Sequence, residues 1–487
     1  MQRRSGGVRR LAVAVAVAGA GCSGVVLGAS AAQAQAPACG AVVTSDVTLT
    51  EDVLGCLGTG LVVGADEITI DLGGHTLGGA VVSGGAPDQV GIDNGGGFDD
   101  VVIRNGTVRE FAGAVHLDGS DDSRLSGLHT VLSSDYGILV EHGSRNRITG
   151  NTLEDPGDIG IGLSGTGGAS RDNVIRGNRV ESANSAGIAL RHGAVSGTLV
   201  AGNDVVQTFL ADGWGAGIAV GARYTSGEGD LRSTIVRGNR IRDGFSGGVF
   251  VADSARGTLV EGNAVDNQIG LPAYESDGDG TVLRANAATN SRFPGAGNYG
   301  VTVDARARDN RVEGNTIHEA GSISIDDSGR RTLVRANRVT GLRFDSQTPT
   351  GFNGGIVVRE AARGGRVEAN VVRRLAVTGG ISPGAGIQVS GDGIAVVGNV
   401  VSEIDFTDGI RVEPEAAGTL VRANVADRAE DDGIDVAGPD TTVTANLATN
   451  NGHHGIEAVA GVRDGGGNRA SGNGATPQCV GVTCSPA

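Results

Sequence analysis

Near the end of this chain, carboxylates, an arginine and a histidine recur at a repeating interval. Asp408, Asp432 and His454 each stand directly before a glycine, namely Gly409, Gly433 and Gly455. Two residues beyond those glycines come Arg411, Asp435 and Glu457. If the three segments stack as neighbouring strands, all six residues share one patch. A carboxylic acid can then donate a proton while a carboxylate or imidazole removes one, and an arginine can hold a developing anion. Such groups suit cleavage of a glycosidic bond or removal of a proton beside a uronate. One-coil spacing also arises automatically in a repeat, so a plain ladder of surface charge is the competing reading.

The elements that would position these residues are written along most of the chain. A first pattern reads x-Gly-Ile/Val-x-Val/Leu, as in Tyr136–Val140, Ala186–Leu190, Ala216–Val220, Gly354–Val358 and Asp432–Val436. Its glycine position falls at 91, 114, 137, 160, 187, 217, 248, 270, 300, 322, 355, 386, 409, 433 and 455. The second pattern reads Val/Ile-x-Gly/Ala-Asn, as in Val236–Asn239, Val260–Asn263, Val334–Asn337 and Val421–Asn424. A recurring period with alternating apolar residues inside each unit predicts a β-solenoid, whose units bury their core only against neighbours. Two strands per period and a short third segment predict an all-β, right-handed parallel β-helix of about sixteen coils.

Two ladders follow from stacking. Asparagine closes the second pattern at 105, 151, 178, 203, 239, 263, 286, 315, 337, 370, 399, 424, 446 and 473, and Leu128 interrupts the series. Asparagine tolerates the left-handed conformation and bonds along a stack of its own kind, so a structural turn ladder is expected. Two residues earlier, Arg237, Glu261, Arg284, Glu313, Arg335 and Glu368 alternate in sign, which favours one register on a solvated face.

Insertions interrupt the period after Asn203, Asn286, Asn337 and Asn370, and between Gly217 and Asn239. They carry Trp214, Tyr224 and Phe352, with Tyr299 at the end of one and the triplet Arg343, Phe344, Asp345 in another. Aromatic side chains on projecting loops suit stacking on sugar rings, so these are the candidate substrate-binding residues, on the side between coils 217 and 386. The N-terminal third adds His116, Asp118, Tyr136, Glu141 and His142 on adjacent coils.

Composition narrows the partners. All 39 basic residues are arginine, so lysine chemistry is excluded. Arg3, Arg4, Arg9 and Arg10 precede an apolar run to Leu27 and small residues near Ala34, the pattern of a Sec-type secretory signal peptide over 1–34. Cys22 and the paired arginines make lipoprotein processing and twin-arginine export the secondary readings. Beyond the leader, 35 arginines face 55 acidic residues, about −20. That charge disfavours nucleic acid and anionic membranes, and admits an acidic polysaccharide only through a local arginine patch or a divalent cation. No later stretch is apolar enough to span a membrane. The remaining cysteines sit at the two extremities and predict the local disulfides Cys39–Cys56 and Cys479–Cys484. No histidine spacing accompanies them, so no metal site is expected there. Asp277 and Asp279 are surface carboxylates that calcium could use, and a monomer is expected.

The segment Ile68–Leu77 (Ile-Thr-Ile-Asp-Leu-Gly-Gly-His-Thr-Leu), followed by the asparagine-turn coils, resembles the opening of bacterial right-handed parallel β-helix repeat proteins. These belong to the pectin-lyase-like group, which includes the β-helix maturation protein of nitrous oxide reductase. The resemblance implies binding or cleavage of carbohydrate. The runs Glu430–Gly433 and Gly452–Gly455 are similar to the paired aspartates and histidine of polygalacturonases, though that family's Arg-x-Lys cannot exist here. Tyr136–Ile138 resembles the start of the mannuronan-epimerase motif, with Leu139–Glu141 departing from it. The expected organisation is a signal peptide (1–34), a disulfide-stapled cap with the first coils (35–90), β-helix repeats (91–473) and a stapled tail (474–487). The expected role is a secreted protein that binds or modifies extracellular polysaccharide. The alternatives are a dedicated lyase, epimerase or hydrolase, or a non-enzymatic scaffold.

Overall fold

The computed structural model describes residues 37–80, 89–206, 208, 215–222, 229–245, 247–291, 299–345, 354–378 and 384–487, without the side chains of 299, 342–345 and 377–378. The expected leader, 1–34, lies outside them. Among the described residues there is no helix; every regular element is a strand, and the strands form a parallel β-solenoid of about 15 turns. Three strand stacks run along it. First-pattern strands such as Tyr136–Glu141, Ala216–Val220 and Ile434–Val436 form one face. Strands such as Ile235–Arg237, which lead into the asparagine, form the second, and those just after it, such as Arg240–Arg242, form the third.

Period-2 alternation sets what faces inward. In the first pattern, Ile138, Val140, Ile161, Leu163, Ile188 and Leu190 stack in register and are fully buried. The residue between each pair points outward. Tyr274 replaces the isoleucine in one coil, buried between Val249 and Val301, and its hydroxyl donates to the Asn263 and Ala287 carbonyls. This register moves two expected glycine positions. Ala273 and Ser324, rather than 270 and 322, align with the glycines, because pairing follows the inward side chains of Tyr274 and Ile325.

The asparagine ladder is real but differs from expectation in conformation and at both ends. Asn263 Oδ1 accepts from the Asn239 backbone N–H and side-chain amide, both at 2.9 Å. Its own Nδ2 donates to Val236 O at 2.9 Å and to Asn286 Oδ1 at 3.0 Å. All four hydrogen-bonding positions of the amide are thereby filled, and the side chain is buried. The left-handed residue is the one before each asparagine: Gly238 (φ 62°), Gly262 (φ 62°), Ala285 (φ 53°) and Ala336 (φ 54°). Asn105 occupies that preceding position (φ 58°), and Gly106 is the residue paired with Leu128. At the other end Asn446 bonds to Asn468, whereas Asn473 belongs to a second, shorter ladder below Asn451.

The charge ladder forms as expected. Arg237, Glu261, Arg284, Glu313, Arg335 and Glu368 are register partners in order. Both disulfides, Cys39–Cys56 and Cys479–Cys484, are also present. Two insertions expected as loops begin instead as strands. Arg338–Asp345 and Val371–Thr378 prolong the third face and pair with each other, because a neighbour of similar length supplies the hydrogen-bonding edge.

Candidate functional site

Three successive first-face strands, Ile410–Val412, Ile434–Val436 and Ile456–Ala458, place Arg411, Asp435 and Glu457 side by side on the outer surface. Gln388 precedes them in the same row. Arg411 is the centre of this patch. Its guanidinium lies 3.4 Å from Glu413, 3.6 Å from Asp435 and 3.7 Å from Asp408. Gln388 Nε2 donates to Glu413 at 2.6 Å. Two buried atoms here make no hydrogen bond within the described chain: Arg411 Nε and Gln388 Oε1. Buried polar atoms are rarely left so, and the exceptions cluster where a ligand or water completes them.

Asp408 and Asp432 occupy turns beneath this row and are both buried. The Asp432 backbone N–H donates to Asp408 Oδ1 at 3.0 Å, and the His454 backbone N–H donates to Asp432 Oδ1 at 2.6 Å. The carboxylates therefore stack, each capping the coil that follows. Burial, reinforced by the Asp435 charge, pushes the Asp408 carboxyl up to about 7, against the pull of the Asp432 N–H and Arg411. Burial and the facing Glu457 carboxyl raise Asp432 to about 6. Asp435 is raised by burial and by Glu457 and Glu413, while Arg411 opposes the shift. Desolvation disfavours the charged form in each case.

The structure thus gathers Asp408, Arg411 and Asp435, as the sequence suggested, and adds Glu413 and Gln388, which sequence reasoning missed. Glu413 could have been found from its outward register two residues past Arg411. His454 departs from the group. Its Nδ1 donates to the Pro477 carbonyl at 2.8 Å, while its neighbour His453 takes the place beside Asp432, with Nδ1 at 3.0 Å from Oδ1.

Of the expected sugar-stacking residues, Trp214, Tyr224 and Phe352 lie outside the described residues. Tyr299, Arg343, Phe344 and Asp345 lie on strands whose side chains at those positions are not described. The N-terminal group does assemble. His116 sits between Asp93 and Glu141, each 3.1 Å from one ring nitrogen. Both nitrogens are engaged, and although burial opposes it, the two carboxylates raise the imidazole's pKa. A histidine with both ring nitrogens already engaged by carboxylates is a poor general base. His142 pairs with Asp118 at 3.1 Å. Further along, a pair that the sequence analysis did not single out joins the buried Asp326 to the half-buried Arg359 by two hydrogen bonds of 2.6 and 3.0 Å.

A family match agrees with this architecture. The family model for the right handed beta helix region matches residues 66–227. No curated protein matches the chain. Among solved structures, the A-module of the Azotobacter vinelandii mannuronan C-5 epimerase AlgE4 is 14% identical, with 72% of this chain and 91% of that one covered at a TM-score of 0.41. A mannuronic acid specific polysaccharide family 6 lyase from human gut microbiota is 13% identical over 78% of this chain and 82% of its own, with a TM-score of 0.40. A point mutant of the periplasmic alginate epimerase AlgG is 12% identical over 80% and 77% of the two chains, with a TM-score of 0.35.

Proposed function

We propose that this chain is a secreted β-helix protein that binds a neutral extracellular polysaccharide along the row Gln388–Arg411–Asp435 and hydrolyses it there by acid–base chemistry. The observation that carries this reading is the convergence of Arg411 with Asp408, Glu413 and Asp435 in a row that also leaves Arg411 Nε and Gln388 Oε1 unsatisfied. Those two atoms are themselves buried, so the partly exposed remainder of the Arg411 guanidinium offers the donors to sugar hydroxyls. Asp435 faces outward beside them and retains its proton to higher pH than an ordinary aspartate, which suits a general acid. Asp408 is too buried to touch a polymer and serves to position Arg411. One cation among three carboxylates repels a polyanion, so a uronate polymer fits poorly. The two disulfides agree with an oxidising compartment.

The test is incubation with neutral and acidic polysaccharides, following new reducing ends, ultraviolet absorbance of unsaturated products, and retardation in affinity gels. Reducing ends from a neutral glucan or similar polymer, abolished in Asp435→Asn, are expected. Unsaturated products from a uronate polymer would overturn the hydrolytic assignment. Silence in all three assays would favour the scaffold reading, which the regular charge ladder on the second face supports.

A further inference from the structure

We propose that His453, His454 and Glu457 form a binding site for a divalent transition-metal ion of the zinc type, at the C-terminal end of the solenoid. The site adjoins the row of the polysaccharide reading, with Glu457 one strand beyond Asp435, but its evidence does not depend on that reading. Each of the three residues can present one ligand atom such that all three atoms lie within 4.8 Å of one another. Proximity alone would be weak, since surface histidines and carboxylates often meet. The orientation of the rings carries the assignment further.

The Pro477 carbonyl can only accept, so His454 Nδ1 must carry the proton in their 2.8 Å hydrogen bond. Its Nε2 is then the lone-pair nitrogen. His453 Nδ1 likewise faces the Asp432 carboxylate at 3.0 Å, which leaves its Nε2 as the second lone pair. A backbone carbonyl on one imidazole and a carboxylate on the other is the outer-shell arrangement that fixes metal-binding histidines in tautomer and ring angle. The two rings are held with centroids 4.2 Å apart and planes inclined at 64°. Glu457 comes from the strand that follows, where its register neighbour is Asp435.

Two neutral imidazoles and one carboxylate suit zinc, with a fourth position open to solvent because His453 is exposed and the other two are half-buried. Calcium prefers six or more oxygen donors, which this set does not offer. A second group, Asp431, Asp432 and His453, also converges. There Asp432 already accepts from both His453 Nδ1 and the His454 backbone, so it is assigned to the outer shell. Pro477 belongs to the closing segment that ends in the Cys479–Cys484 disulfide. A metal on His454 would therefore couple that segment to the coil before it.

Isothermal titration of the purified, chelator-treated protein with zinc chloride, and separately with calcium chloride, tests the site. One zinc ion per chain is expected, with a rise in melting temperature on addition and no comparable response to calcium. His454→Ala and Glu457→Gln should each weaken zinc binding by at least tenfold, and Asp432→Asn by about tenfold through the outer shell. Circular dichroism and metal-free melting show whether each variant remains folded. Absence of zinc binding in the native protein would overturn the proposal. So would undiminished binding in folded His454→Ala, or binding lost in Asp431→Asn but retained in Glu457→Gln.

Discussion

Asp327 replaces a core valine, and its ionisation should make the stability of the solenoid depend on pH. Its register partners on the coils before and after are Val303 and Val358, all three fully buried. Burial pushes its carboxyl up to about 7, and the Gly329 N–H at 2.9 Å opposes the shift only in part. In the unfolded chain the same group titrates near 3.8, the ordinary aspartate value. The folded state therefore keeps this proton over an interval where the unfolded state loses it. The contribution is fully present below pH 3.8 and is lost as pH rises through about 7. A shift of about three units corresponds to roughly 4 kcal/mol at the high-pH end. Asp327→Asn keeps the acceptor for Gly329 and removes the titration. Urea unfolding of both proteins from pH 4 to 8.5, monitored by circular dichroism, should show the native protein losing stability relative to the variant across that window. Asp326, held by Arg359, remains in both proteins and largely cancels. A pH-independent difference between the two midpoints would refute the reasoning. A native protein that gains on the variant as pH rises would refute it too.

The ladders yield further expectations. Asn263→Ala deprives the Asn239 backbone N–H and one of its amide hydrogens of their acceptor, two buried donors at about 1–3 kcal/mol each. A loss of about 2–6 kcal/mol in chemical denaturation is expected, whereas substitution of the exposed Arg237 should change little. The left-handed position before the asparagine should respond with opposite signs in two coils. Ala336→Gly relieves backbone strain of about 1–2 kcal/mol, partly offset by glycine's chain entropy, so a net gain of about 0.5–1 kcal/mol is expected in thermal melts. Gly238→Ala should cost a similar amount purely through the backbone, since an added Cβ meets nothing within 4 Å. Arg359→Met leaves Asp326 buried without its bidentate partner. It should cost about 3–5 kcal/mol above the pH at which Asp326 ionises and less below it.

The fold was legible because each coil repeats one physical requirement. Ile and Val two residues apart must face one interior, and the asparagine side chain must face the preceding coil's backbone. What the pattern hid was conformation at single positions. The side chain of Asn263 and the φ of Gly238 share the same kind of turn, and propensity assigns the left-handed residue to either position. The ladder decides, because an asparagine whose amide fills four hydrogen bonds inside the core leaves the strained backbone to its predecessor. The same blindness affects register at Ser324, because Asp327 stands where the second inward valine would be and the Ile323–Ile325 pair imitates the pattern two residues early.

The candidate site was half legible for a related reason. Alternation says that Arg411, Asp435 and Glu457 point outward on consecutive rungs, and they do. Alternation says nothing about how deep a turn residue lies. Asp408 and Asp432 are spaced like surface groups, yet both are buried and bonded to the backbone of the next coil. That contact turns them from reactants into supports. It also separates two histidines that the sequence treats alike, because the same Asp432 oxygen takes the ring of His453 and the backbone of His454. His454 is then free to turn its ring to the Pro477 carbonyl, and both imidazoles are engaged through Nδ1. The chemistry open to the last coils is thus set less by which acids and imidazoles are present than by which of them the backbone has already engaged.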